Sequence, residues 1–184
     1  MDKRPDHYRK NIRLKDYDYS SAGYYFVTIV SYKRKQIFGE IINGQNNLNP
    51  LGMIVEKTWQ EIPVHFPFIE VDSHIVMPNH FHGIVIINEV GAQHAEPLLH
   101  AGSLLHAEPL QEIKTQPLGL IIRSFKSAVT KHVHDLGLFV GEKFWQRNYY
   151  EHIIRDEEDY QSIADYIETN PINWQYDLEN PENT

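Results

Sequence analysis

The spacing of apolar positions divides the chain into seven elements. The run YYFVTIVSY, Tyr24 to Tyr32, is dense in aromatic and β-branched residues and predicts a buried or half-buried strand. Residues 36–50 hold Gly39, Gly44, several Asn and Pro50, which predict a loop or short hairpin. From Leu51 to Phe66, the residues Ile54, Val55, Thr58, Trp59 and Ile62 recur at helical spacing. Phe68 to Met77 and Phe81 to Asn88 predict two strands joined through Pro78-Asn79. Leu118, Ile121, Ile122, Phe125, Val129 and Val133 form the stripe of a helix, with Arg123, Lys126 and Lys131 off it. A short strand is predicted within FWQRNYYEHII. A last helix opens at Asp156 with the acidic turn DEED, which the helix dipole favours, and stops near Asn170 because a residue preceding proline avoids helical geometry. This order suits an α+β domain, an antiparallel sheet with helices packed against it, and a ferredoxin-like arrangement is the simplest candidate.

Residues 94–111 break the pattern. They read HAEPLL, HAGSLL, HAEPLQ, one six-residue unit three times over, with no aromatic residue to build a core. They predict a flexible, low-complexity insertion at about 91–116. His94, His100 and His106 recur evenly within it, as duplication of a short coding unit would give. The remainder is expected to form one domain over 1–184, with an acidic tail at about 175–184.

Composition narrows the classes. The chain has 184 residues, 41% of them hydrophobic, which is enough for one packed core. It has no cysteine, which excludes disulfide staples and thiolate zinc sites and suits a reducing cytosol. No stretch reaches the roughly 18 apolar residues of a membrane span, and the charged start, MDKRPDHYRK, lacks the apolar core of a signal peptide. A cytoplasmic location and no membrane partner are expected. The net charge of −8 argues against a nucleic-acid partner until its distribution is considered. Residues 1–35 carry nine Lys/Arg against four Asp/Glu, and residues 114–150 carry six against two. Lys33, Arg34, Lys35, Arg123, Lys126 and Lys131 are therefore candidates to line a groove for a phosphate backbone, with the acidic tail directed elsewhere. Ordinary solvated faces give the same counts.

The sharpest local feature is VMPNHFHGIVII, residues 76–87. On a strand, His80 and His82 point to one face and Phe81 to the other, toward the core with Val85 and Ile87. Two imidazoles on one pleat can share a metal ion; the same spacing also suits a strand start with two partly exposed histidines. A histidine-triad nucleotide hydrolase would continue the alternation, but position 84 is Ile84.

On the last helix, Tyr160, Ile163, Ala164 and Ile167 form the apolar stripe, and Tyr166 lies about 110° from its centre. Asn170 follows one turn later, so both side chains can reach one site. A half-exposed aromatic and a helix C-cap are the plain alternatives for the two residues.

VMPNHFHGIVII, then LGLIIRSFKSAV, then FWQRNYYEHIIRDEEDYQSIADYIETNP, together resemble the single-tyrosine HUH transposases, and within them the REP-associated branch. The resemblance spans roughly residues 20–174 and leaves out the repeat. It implies a ferredoxin-like or RRM-like domain that forms a homodimer and acts on single-stranded or hairpin DNA, specifically hairpins of repetitive extragenic palindromes. It implies a divalent metal, Mg2+ or Mn2+, held by His80, His82 and Asn170, with Tyr166 as nucleophile. His152 matches a recurring histidine of the family that either lines the site or braces its strand. The implied reaction is nicking and rejoining through a 5′-phosphotyrosine link, with no ATP. Imidazole ligands lean toward manganese over magnesium. Two rival readings are a hairpin-binding module that no longer cuts, and a metal-dependent phosphodiesterase that uses water and has no need of Tyr166.

Overall fold

The computed structural model describes residues 17–89, 117–139 and 143–183. The repeat at 94–111, with His94, His100 and His106, lies outside the described residues. Strand β1 spans Gly23–Val30, and a hairpin follows, β2 (Gly39–Ile42) and β3 (Gln45–Leu48). Helix α1 spans Pro50–Gln60 and a single turn, α2, spans Ile62–His65. Strands β4 (Ile69–Val76) and β5 (His80–Ile87) precede helix α3 (Leu118–Asp135), strand β6 (Tyr150–Ile154) and helix α4 (Glu157–Thr169).

Four strands form an antiparallel sheet in the order β4-β5-β1-β6. With β2–β3 set aside, β1-α1-β4-β5-α3-β6 is the ferredoxin-like βαββαβ unit, as the apolar spacing predicted. Helix α4 is an addition to that unit and covers the sheet's second face. The helix starts follow from local chemistry. Asn49 accepts hydrogen bonds from the N–H groups of Leu51 and Gly52 ahead of Pro50, and Asp156 accepts from the N–H of Asp159.

Strand alternation sorts the core into two layers. Phe81, Val85, Ile87, Tyr25, Val27 and Ile29 face α1 and α3 and form the larger cluster with Trp59, Phe125 and Val129. Phe26, Ile84 and Ile154 face the opposite way and pack under Ile167 of α4. His80 and His82 belong to this second face, as the pairing of His82 and Ile84 with Thr28 and Phe26 requires. Gly83, on the first face, has to be glycine for packing reasons. A Cβ there would lie 2.6 Å from the Trp59 ring and 2.8 Å from that of Phe81.

Phe81 is fully buried, with ring centroids 4.5 Å from Trp59 and 5.6 Å from Phe125. Phe81→Ala is expected to cost about 3–5 kcal/mol, read by urea denaturation. A cost below about 1 kcal/mol would mean that the first face is not packed as described.

Candidate active site

The loop between β4 and β5 sets the first histidine. Asn79 is fully buried, and its amide nitrogen donates to the carbonyls of Arg34 and Glu179 at 3.2 and 2.6 Å. Those two donations fix the side chain's orientation, so its oxygen faces Nδ1 of His80 at 2.8 Å. An amide oxygen can only accept, so His80 carries its proton on Nδ1 and presents a bare Nε2. His82 is oriented by Thr28, whose Oγ1 lies 2.8 Å from Nδ1. The two Nε2 atoms converge to 2.9 Å. Burial holds both rings neutral, lowering His80 to about 3 with help from the Arg34 charge, and lowering His82 well below its ordinary value with help from His80. Neutral imidazole is the form that binds metals.

Tyr166 reaches the pair from α4. Its hydroxyl lies 3.3 Å from Nε2 of His82, and its ring stands edge-on to His82 at 5.2 Å and to Phe26 at 6.2 Å. The side chain is 45% exposed, so the phenol borders both the histidines and solvent. Burial of the hydroxyl end raises its pKa above the ordinary phenol value, and the neighbouring Asp177 charge adds to this. Asn170, at the C-cap of α4, is buried beside it, and its amide nitrogen donates to Asp177 Oδ2 at 3.1 Å. Its Oδ1 is buried with no hydrogen-bond partner.

Asp177 was not anticipated, and its position corrects the expectation that the acidic tail points away. After Pro171 the chain makes a 3₁₀ turn over Trp174–Tyr176 and a second over Pro181–Asn183, and this segment folds back across the site. Asp177 is buried, with Oδ2 at 3.4 Å from the Tyr166 hydroxyl and 3.9 Å from Nε2 of His80. Glu179 pairs with Arg34 at 3.1 Å, and Arg34 donates to the Leu178 carbonyl at 3.0 Å. Buried Asn180 donates to the Trp174 carbonyl. The ligand atoms of His80, His82 and Asp177 lie within 4.8 Å of one another, the geometry of a site that could hold a metal ion. The donor set fits a divalent ion, with two converging imidazole nitrogens, a carboxylate, and an orphaned amide oxygen on Asn170 nearby.

The remaining candidate residues are spread more widely. His152 lies on the same sheet face, but its Nε2 pairs with Asp159 at 2.8 Å and ties β6 to the first turn of α4. Lys33 and Arg34 sit in the turn after β1, both at positive φ, and Arg34 is engaged by the tail. Arg123, Lys126 and Lys131 lie on α3, across the sheet from the histidines, and line a groove of about 690 Å³ with Trp145, Arg147 and Tyr149. Burial lowers Lys126 to about 8, and its ammonium donates to the Gln146 and Asn148 carbonyls. Lys131 pairs with Asp135 at 2.5 Å. The two basic clusters thus do not form one groove beside the histidines. No helix among the described residues is long and apolar enough to cross a membrane.

Comparison with known proteins finds relatives for the chain as a whole. The chain is 44% identical over 172 residues to an uncharacterized protein of Haemophilus influenzae, covering 93% of this chain and 92% of that one. It is 26% identical over 160 residues to a second protein of that organism, provisionally assigned as a REP-associated tyrosine transposase, covering 86% and 76%. The solved structure of a REP-associated tyrosine transposase bound to a REP hairpin superposes with a TM-score of 0.57 at 18% identity, covering 90% of this chain and 75% of that one. No protein-family profile matches the chain. The fold is the transposase fold. In sequence the chain is similar, at 26% identity, to the REP-associated tyrosine transposase of Haemophilus influenzae, and in fold to the hairpin-bound one.

Proposed function

We propose that this protein is a transposase that nicks and rejoins single-stranded DNA beside hairpins of repetitive extragenic palindromes, using Tyr166 as nucleophile and a divalent metal. The observation that supports this reading is the 3.3 Å approach of the Tyr166 hydroxyl to Nε2 of His82, a phenol beside a candidate metal site. His80, His82 and Asp177 would hold the ion, with Asn170 Oδ1 as a further ligand. The bound ion would supply Lewis-acid polarisation of the scissile phosphate. Magnesium and manganese both serve that role, and the imidazoles favour manganese.

The chain's own residues account for the remaining steps. Asn79 and Thr28 hold the two imidazoles in place through their Nδ1 atoms. The Tyr166 oxygen attacks phosphorus and gives up its proton, for which Asp177 Oδ2 is an acceptor within reach. The bond from phosphorus to the 3′-oxygen breaks, and that oxygen leaves with the electron pair and takes a proton. The 5′-phosphate stays esterified to Tyr166. Attack by a second 3′-hydroxyl reverses these steps and reseals the strand. One phosphodiester-like bond replaces another at each stage, so no ATP is required.

The test is to incubate the protein with end-labelled single-stranded oligonucleotides and Mn2+ and resolve the products on a denaturing gel. A labelled band at the mass of protein plus DNA is expected. Cleavage without such a band would replace this reading with a water-using phosphodiesterase. Hairpin binding with no cleavage would replace it with a non-catalytic DNA-binding module.

A further inference from the structure

Strand β6 lies at the edge of the sheet, and its start separates the groove on α3 from the histidine site. Two consecutive tyrosines mark that boundary. Tyr149 is part-buried against the larger core cluster and lines the groove with Arg123, Arg147 and Trp145. Tyr150 points to the opposite face. It pairs in register with Thr28, which pairs in turn with His82, so Tyr150, Thr28 and His82 stand abreast on three neighbouring strands. Two strand spacings put Tyr150 roughly 10 Å from the metal-site histidine.

Its surroundings are unusual for a structural tyrosine. Tyr150 is 40% exposed, and among the described residues its hydroxyl makes no hydrogen bond. Among those residues its one ring contact is with Phe26, edge-on at 6.3 Å. The same Phe26 stacks on His82 at 5.3 Å and meets Tyr166 at 6.2 Å. Phe26 is therefore a buried hub with two exposed tyrosines against it, one at the candidate nucleophile position and the other on the edge strand β6. Strand-borne aromatics presenting their rings to solvent are platforms on which unpaired bases stack. Tyr150 offers the aromatic surface and Arg147 and Arg123 offer phosphate contacts around the edge from it.

We propose that Tyr150 is a base-stacking platform for a nucleotide flanking the scissile phosphate, on DNA that runs from the α3 groove around the β6 edge to Tyr166. This rests on the function proposed above and adds a positioning residue and a path. Stacking of one base on an exposed ring predicts that Tyr150→Ala weakens single-strand binding roughly 5- to 150-fold.

The probe is a fluorescein-labelled DNA hairpin with single-stranded flanks, through which one abasic site is moved a nucleotide at a time. Binding is read by anisotropy, and covalent adduct on a denaturing gel with Mn2+. In the unmodified protein one abasic position near the cut is expected to cost at least fivefold in Kd. In Tyr150→Ala the same abasic position should cost nothing further, because the ring it stacked on is gone. Tyr150→Phe keeps the ring and should restore the position dependence. A purely structural role for Tyr150 would lower affinity equally at every position, and that outcome overturns the proposal. An adduct with no abasic position coupled to Tyr150 overturns the platform and leaves the nuclease reading standing. Coupling without any adduct keeps the platform and removes the tyrosine-nucleophile reading.

Discussion

Tyr166→Phe is expected to abolish the covalent protein–DNA adduct and strand cleavage together, a loss of at least 1,000-fold on the order of removing a sole nucleophile. The substitution deletes one oxygen. That oxygen's contacts, His82 Nε2 at 3.3 Å and Asp177 Oδ2 at 3.4 Å, are long, so little folding energy depends on it. The ring's edge-on contacts with His82 and Phe26 survive in phenylalanine. Thermal unfolding, manganese binding and hairpin binding should therefore remain close to those of the unmodified protein. Such selectivity separates a nucleophile from a padding residue. An adduct that persists in Tyr166→Phe would place the nucleophile elsewhere, and the exposed Tyr150 would be tested next. Tyr149 is disfavoured because its side chain lies on the other face of the sheet.

Much of this site's layout is legible in the sequence, because it depends on periodicity. A strand alternates faces, so His80 and His82 had to share one and Phe81 had to leave it. A helix turns 100° per residue, so Tyr166 had to stand off the stripe that buries Ile167. The same alternation divides Tyr149 from Tyr150. Asp177 has no such period. It is one of 25 acidic residues, in a segment that makes no strand or α-helix, and its place is set by Arg34 and Asn79, far away in sequence. The available signal was a pair of Asn-Pro dipeptides at 170–171 and 180–181, each marking a tight turn. Two turns ten residues apart bring a chain back on itself, which a free tail has no reason to do. Charge counting likewise could not tell that α3 and its cations lie across the sheet from the histidines. Net charge per segment carries no information about which face a helix covers.

The candidate metal site yields the second large effect. His82→Ala is expected to lower manganese affinity at least 100-fold by calorimetric titration and to remove the adduct, because one of two converging nitrogens is lost. Asp177→Asn keeps the side chain's size and removes its charge. If the carboxylate is a ligand, this variant should lose manganese affinity by about tenfold or more. An unchanged affinity in Asp177→Asn would limit the ligands to the histidines and Asn170. The pH of the titration matters, and its direction follows from burial. His80 is held at about 3 in the folded protein against roughly 6.5 unfolded, so the folded state binds fewer protons between those values. The metal-free protein should therefore have this contribution to stability in full above about pH 6.5 and lose it as pH falls toward 3. Between pH 7 and 8 His80 is already neutral, so manganese binding should displace no proton from it and the affinity should change little. A steep rise in affinity across that interval, with the fold intact by circular dichroism, would mean that protonated groups must be stripped before the metal enters. That result would contradict a site whose imidazoles are kept neutral by their burial.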